Sequence, residues 1–274
     1  MISDRMKYGL GEEWHRVLYP RICKSLQFSE SEDRLGRDIL SHLLALKGIR
    51  PMDLLGSENS TEKEFASVIL AGRTLARDLK FLGKDFLRNT YTIAADGAGN
   101  EFHRKFGVVP DAIVSDLDSC SFSLLSEVSS SRILFVHSHG DNIRQILSLV
   151  PMMGSKIFGT TQVEDDPRSR VFNVGGFMDG DRACYIATLL GFKKLLILGL
   201  YFPFSSKFIK KTTTERRNRA TSRKERKLEW SKKSLQHLIL KTRGKVDFFT
   251  PSQDAYGISG LKKIEVAQAP LGAS

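Results

Sequence analysis

Two aspartates one residue apart, Asp116 and Asp118, follow directly on the apolar run Ala112-Ile113-Val114. Carboxylates resist leaving water, and two like charges at short range resist it more. A pair so placed is either solvated or bridged by a cation. The same succession of apolar run and polar end recurs along the chain. "YTIAAD" leads to Asp96, with Gly97, Gly99 and Asn100 after it in "DGAGN". "RILFVHSHGDN" brings His137, His139, Asp141 and Asn142, and "SKIFGTTQ" ends on Thr160, Thr161 and Gln162. "NVGGFMDGD" carries Gly175, Gly176 and Asp179. A lone aspartate in such a place is ordinarily a turn former or a helix cap, and Asp179, opening "DGDRACYIATLLG", fits that role. The set Asp96, Asp116, Asp118 and Asp141 is harder to explain so. Two carboxylates at i and i+2 of an extended chain lie on one side, and neighbouring strands would add the others. Mg²⁺ relieves their repulsion, since it takes hard oxygen ligands, typically one or two carboxylates plus substrate phosphates. The chemistry expected is metal-assisted work on the phosphates of a nucleotide.

Smaller signals point the same way. "DGAGN" allows a tight turn with backbone N–H groups close to an anion. Arg73, in "AGRTL" after an apolar run, is placed to meet a phosphate. The P-loop pattern G-x-x-x-x-G-K-[ST] is absent from the sequence, so the phosphates are not held in that way. His137 and His139 have no evident third His or Cys partner, which argues against zinc.

The elements that must position these residues follow from the apolar runs. Strand-length runs at 65–71, 91–96, 111–115, 132–137, 155–159 and 194–200 alternate with helix-compatible stretches, and 246–250 and 263–267 are candidate late strands. Continuous apolar strands imply burial on both faces, as in a parallel sheet covered by helices. The alternation argues an α/β, doubly wound fold. In such a sheet ligands bind beyond the carboxyl ends of the strands, so polar residues far apart in sequence converge there. Residues 10–28 and 31–47 read as helices, and 49–64 as a breaker-rich connection. The expected partition is a helical N-terminal region, 1–62, and an α/β catalytic domain, 63–274.

Composition narrows the classes. The chain has 274 residues, 41% hydrophobic and 27% charged, which is ordinary for a globular protein. Its longest apolar runs fall short of a membrane span, its first residues lack the apolar core of a signal peptide, and its three cysteines are scattered. A cytoplasmic location is expected. The net charge of +11 is local: residues 206–233 hold twelve Lys and Arg against three Glu. Such a block is a solvated face, a polyphosphate-binding segment or a nucleic-acid site.

In order along the chain, "ADGAGNEF", "PDAIVSDLDS", "VHSHGDN", "GTTQV" and "NVGGFMDGDRACYIATLLGFKKLLILGLYF" resemble the motifs of the archaeal 6-hydroxymethyl-7,8-dihydropterin pyrophosphokinases. These are related to thiamine pyrophosphokinases, whose "DGGAN" and "GDxDS" match Asp96–Asn100 and Ser115–Ser119. The resemblance covers about residues 65 to 202. It implies a Rossmann-like, thiamine-pyrophosphokinase-like core that moves pyrophosphate from ATP to a hydroxymethyl-pterin with Mg²⁺, leaving AMP, in the biosynthesis of a folate-like or methanopterin-like cofactor. It assigns metal and triphosphate binding to Asp96, Asp116, Asp118 and Asp141. It sets "HGDN" and "TTQ" around nucleotide and pterin, with His139 and Asp141 as candidates to take the acceptor's proton. Two departures stand out. A Gly-rich "GAGPSL"-like turn is here "LAGRTL", and "GMDF" is here Gly199-Leu200-Tyr201-Phe202. The partners implied are small molecules, with no membrane; a homodimer is compatible. Alternatives are thiamine as acceptor, a sugar-nucleotide transferase using the D-x-D, and, third, a nucleic-acid binder. The basic block offers that last reading only Phe208 and Trp230 for base stacking.

Overall fold

The computed structural model describes residues 9–58, 63, 65–80, 84–202 and 215–264. Four helices come first: α1 (Leu10–Val17), α2 (Tyr19–Leu26), α3 (Glu30–Leu46) and α4 (Pro51–Glu58). The stretch expected to be one helix over 10–28 is two, divided at Leu18 with Pro20 in the first turn of the second. α3 starts where its sequence dictates. Ser29 caps it by accepting the Glu32 N–H, and Glu30, Glu32 and Asp33 fill the first turn. α4 lies in the stretch read as a connection. Pro51 opens it at the one helical position where a missing N–H costs nothing. Residues 59–62 and 64 of that stretch lie outside the described residues.

The α/β part then runs β1 (Phe65–Ile69), α5 (Leu75–Lys80), α6 (Lys84–Asn89), β2 (Thr90–Ala95), α7 (Ala98–Phe106), β3 (Ala112–Ser115), α8 (Phe122–Ser131) and β4 (Ile133–Ser138). It continues with α9 (Ile143–Leu149), β5 (Ile157–Thr161), β6 (Val171–Phe172), α10 (Asp179–Leu189), β7 (Lys194–Leu198), α11 (Glu215–Lys241), β8 (Asp247–Thr250) and β9 (Leu261–Lys263). All the strands form one sheet in the order β6-β5-β4-β3-β2-β1-β7-β8-β9, and every pairing is parallel. This is the expected doubly wound α/β architecture. The expected late strand at 263–267 is β9, set earlier, with residues 265–267 outside the described set.

Alternate residues of each strand feed two cores. Ala66, Val68, Ile93, Val114, Phe135, Leu195 and Ile197 face one side, where Trp14, Tyr19 and Ile22 of α1 and α2 and Leu235 and Leu238 of α11 pack. Phe65, Ile69, Ala94, Ile113, Leu134, Val136 and Leu196 face the other, with Leu40 and Leu44 of α3, Phe102 of α7 and Leu125 of α8. At about 25 cal/mol per Å² of apolar surface buried, double-sided coverage is what makes so continuous a set of apolar strands stable. α10, which lies across β1, β2 and β3, is buried along most of its length. Among the described residues no helix is long and apolar enough to cross a membrane.

The strand order reverses between β1 and β7, the place where doubly wound sheets open a crevice. Here the two loops close on each other. A side chain on Gly72 would meet the Gly199 carbonyl, and Gly199, at φ 68°, lies against the Leu70 carbonyl. Beneath them the buried Asp78 accepts from Thr74 Oγ1, the Gly199 N–H and Ser252 Oγ. The space for a ligand lies further along the same rim.

Candidate active site

β2 and β3 deliver the first two carboxylates. Asp96 follows β2 in the left-handed region, φ 46°, with its N–H donating to the Val114 carbonyl of β3. Ser115, the last residue of β3, donates its hydroxyl to Asp96 Oδ1 at 2.6 Å and accepts the Leu117 N–H on the same oxygen. Leu117 is itself left-handed, φ 71°. The segment 116–118 is therefore a tight turn and not the extended chain expected from the i, i+2 spacing. Asp118 nevertheless stays beside Asp116 and Asp96. Burial raises its pKa and their charges add to the effect, against a hydrogen bond from Ser119 Oγ.

The third carboxylate comes from the N-terminus of α10. Asp96, Asp116 and Asp179 each offer an oxygen within 4.8 Å of the others. Asp179, singled out by sequence as a helix cap, belongs to this group because Asp181 does the capping. Asp181 accepts the Phe177 and Met178 N–H groups and the Ser231 hydroxyl of α11, fixing the start of α10 over the strand ends. Burial, and then the charge of Asp116, push the Asp179 pKa well above the ordinary carboxylate range, partly offset by Arg182. Burial also acts to raise Asp116, but hydrogen bonding from His139 outweighs it and holds that carboxyl low. Asp116 Oδ1 is buried with no hydrogen-bond partner among the described residues. An orphaned anionic oxygen in a cluster of three carboxylates fits a hard divalent cation such as Mg²⁺.

From Asp116 and Asp179 a cleft of about 740 Å³, mouth included, runs toward the N-terminal helices. Its walls include Phe28, Glu32 and Asp33 from the start of α3, His139 to Asp141 after β4, and Phe177 and Arg182 of the α10 region. Arg223 and Lys227, one turn apart on α11, complete the mouth. Arg182 is fully buried; its Nη2 donates to the Gly176 carbonyl, its Nη1 lies 3.5 Å from Asp179, and its Nε has no hydrogen-bond partner among the described residues. The sequence signals Arg223 and Lys227 as part of the basic block, whose residues 206–214 lie outside the described set. Nothing in it singles out Arg182, Asp33 or Phe28, since two helical residues and one in the turn before α3 gain a role here only from what they pack against.

The other residues expected at the site have distinct places. Asp141 is 60% exposed on the rim, 3.9 Å from Arg223, and does not join the carboxylate group. It is carried away by a short turn that Asp33 pins: Asp33 Oδ1 accepts the Gly140 N–H, and Oδ2 accepts Tyr19 Oη and Gln162 Nε2. His139 Nδ1 accepts the Asp141 N–H, and its Nε2 faces Asp116. Asn142 is buried and braces the site, donating to the Asp116 and His137 carbonyls. Asn100 likewise holds the turn after Asp118, donating to the Ser119 carbonyl and accepting the Ser121 N–H. Gly97 sits at the head of α7, whereas a side chain on Gly99 would press on Ile113, so that glycine serves helix–sheet contact.

Thr160 and Thr161 are buried in and against the sheet, and only Gln162 of the three reaches the cleft. Gly175 and Gly176, at φ 85° and 88°, let the chain touch α10; a side chain on Gly176 would lie 2.4 Å from the Arg182 Cα. Arg73 lies outside the cleft. It donates to Asp254 and stacks on the Tyr201 ring at 4.4 Å, so the two departures from the resembled motifs touch each other.

Comparison with known proteins places the chain in a family. A family described as "6-hydroxymethylpterin diphosphokinase MptE-like" matches residues 43–207. A Pyrococcus furiosus protein named 6-hydroxymethyl-7,8-dihydropterin pyrophosphokinase is 33% identical over 198 residues, covering 70% of this chain and 78% of its own. A Methanocaldococcus jannaschii protein of the same name is 30% identical over 234 residues, 83% of this chain and 95% of its own. Among solved structures, the MAf glycosyltransferase from Magnetospirillum magneticum overlaps 81% of this chain and 39% of its own, at a TM-score of 0.44 and 14% identity. That likeness is too distant to bear on activity.

Proposed function

Because the chain belongs to the MptE-like 6-hydroxymethylpterin diphosphokinase family, we propose that it transfers pyrophosphate from ATP to 6-hydroxymethyl-7,8-dihydropterin. The products are the pterin diphosphate and AMP. The observation that most supports this reading is the meeting of Asp96, Asp116 and Asp179, the last two lining a cleft together with Arg182, Arg223 and Lys227. The acceptor's hydroxymethyl oxygen bonds to the β-phosphorus of ATP, the bond from that phosphorus to the α,β-bridging oxygen breaks, and AMP leaves with the electron pair. The hydroxyl proton is released.

Asp96, Asp116 and Asp179 would hold Mg²⁺, with Asp118 beside them. Bound there, Mg²⁺ supplies neutralisation of triphosphate charge, which dominates catalysis of phosphoryl transfer. Arg182 presents a buried guanidinium next to that group. Arg223 and Lys227, at i and i+4 of α11, present two cations at the mouth and orient the phosphate chain for in-line attack. His139 does not have a free lone pair in this arrangement: with Nδ1 engaged by a backbone N–H, the neutral ring carries its proton on Nε2, toward Asp116. It orients Asp116. Asp141, open on the rim, is the better placed group to take the acceptor's proton.

Product identification tests the reading. Incubation with ATP, Mg²⁺ and the hydroxymethyl-dihydropterin should yield AMP and a pterin diphosphate in equal amounts by chromatography and phosphorus NMR. ADP with a pterin monophosphate would overturn it, as would turnover with thiamine in place of the pterin.

A further inference from the structure

Besides its carboxylates and cations the cleft has an aromatic lining, and its chemistry differs. Phe28 and Phe177 stand there side by side, ring centroids 6.2 Å apart and planes tilted by 40°. They form an aromatic wall fixed by the core, since Phe177 is 7% exposed and packs with Phe28 against the same buried cluster. Five carboxylates line the cleft: Glu32, Asp33, Asp116, Asp141 and Asp179. Four are accounted for. Asp116 and Asp179 belong to the proposed metal group. Asp33 accepts three hydrogen bonds from the protein, and Asp141 faces Arg223. The Glu32 carboxylate has no partner among the described residues. Its backbone is held by the Ser29 cap, and it lies over Gly140, where any side chain would displace it: a Cβ there would come 2.6 Å from the Glu32 Cβ.

An aromatic wall in the same cleft as one unpaired carboxylate selects among heterocycles. The 2-amino-4-oxo ring of a pterin presents two donors side by side, its N3–H and its 2-amino group, which a carboxylate accepts together. Adenine presents a donor next to an acceptor on the corresponding edge, and a carboxylate can satisfy only one of them. Resting on the pyrophosphokinase reading above, we propose that the Phe28–Phe177 wall of the cleft seats the acceptor's ring, and that Glu32 accepts its N3–H and 2-amino hydrogens. Specificity for a pterin over other flat acceptors is then written in Glu32. The hydroxymethyl group points from this seat toward Asp116, and the nucleotide approaches across the mouth.

Glu32 is exposed and contributes nothing buried, so Glu32→Gln leaves the fold intact. The probes are 6-hydroxymethylpterin and the matching lumazine, which carries a 2-oxo group in place of the amine, titrated without ATP against the protein's tryptophan and the ligand's own fluorescence. In Glu32→Gln the pterin should bind about 10- to 100-fold more weakly, while the lumazine should bind as well or better, because an amide can donate to the 2-oxo group. The KM for ATP should not move. Phe28→Leu, which keeps apolar bulk and loses the ring face, should weaken both heterocycles about tenfold. Unchanged pterin affinity in Glu32→Gln, or a rise in the KM for ATP alone, overturns the assignment. Binding needs no turnover, so the outcomes separate. Wild-type protein that binds pterin through Glu32 yet makes no pterin diphosphate upholds the seat and overturns the reaction; wild-type protein that makes it with Glu32→Gln unimpaired does the reverse. Wild-type protein that binds neither heterocycle overturns the seat.

Discussion

His139 Nε2 lies 3.5 Å from Asp116 Oδ2 while its Nδ1 accepts the Asp141 N–H at 3.2 Å. The imidazole therefore spans from the turn after β4 to the carboxylate after β3 and sets the orientation of Asp116. Partners of this kind typically affect metal affinity by 10- to 100-fold. His139→Gln is expected to raise the Mg²⁺ concentration needed for half-maximal activity by about tenfold or more, with kcat at saturating Mg²⁺ falling by less than about tenfold. Loss of kcat by several orders of magnitude at saturating metal, with the acidic limb of the pH–rate profile displaced or lost, would instead identify His139 as the base.

Removing one charge from the carboxylate group should separate activity from stability. Asp116→Asn and Asp179→Asn are each expected to lower turnover about a thousandfold, on the scale of losing a transition-state electrostatic contact. Without Mg²⁺ Asp179→Asn should melt at or above the wild-type temperature, since burial and the charge of Asp116 disfavour its ionised form, whereas Asp116→Asn should melt lower because it loses the stabilisation that His139 gives its carboxylate. Wild-type protein should gain thermal stability with added Mg²⁺ by mass action, and the variants should not. Calorimetry with and without the metal reads both effects; wild-type turnover in either variant places the cation elsewhere.

Arg223 and Lys227 form the mouth of the cleft and both approach the Phe28 ring, at 5.6 and 5.7 Å. Exposed cations that meet a polyphosphate act through long-range attraction, which salt screens. Arg223→Ala and Lys227→Ala should each raise the KM for ATP several-fold to tenfold near 20 mM salt, and the effect should shrink toward 0.5 M (concentrations on the order at which screening changes most). Thermal stability should be unaffected. An effect on ATP that is indifferent to salt would exclude this electrostatic role.

His137 is buried against Thr160, and its pKa lies well below the usual histidine value because of burial first, then the charge of Arg182. It is neutral when folded. The unfolded chain takes up a proton there as pH falls through about 6.5, and the folded chain does not. Stability is therefore full above about pH 6.5 and declines on acidification until the folded-state value is reached. His15 and His237, also lowered by burial, act in the same direction. Urea melts at pH 7 and pH 5.5 should show the decline, at up to about 1.4 kcal/mol per pH unit per group, and His137→Gln should make it shallower. An equal slope in the variant would remove His137 from the account.

Much of the frame is legible in the sequence because it rests on burial. The runs that form β1 to β5, β7 and β8 are apolar on both faces, and few arrangements besides a sheet covered on both sides produce that pattern. β6, two residues long, carries no periodicity to read. α4 is hidden because Pro51 and Gly56 read as breakers, although proline at the first helical position is no obstacle. At the site, Asp96, Asp116 and Asp118 stand out by following strands. Asp179 does not, because its part depends on α10 lying over β2 and β3, a tertiary fact. Asp141 obeys the same strand-end rule, yet it parts from the group because Asp33, more than a hundred residues earlier, draws its turn toward α3. Gly175, Gly176, Thr160 and Thr161 look like ligand contacts from their neighbourhood, yet they answer to close packing.

Trp14 donates its indole N–H to Ser234, 220 residues later, and seals α1 under α11. As the polypeptide leaves the ribosome, the opening helices must wait for nearly the whole chain before their apolar faces are covered. Contacts this distant slow folding and leave intermediates exposed to association. The nascent protein will depend on chaperone shelter until α11 emerges, and recombinant yield should suffer first when translation stalls short of Ser234.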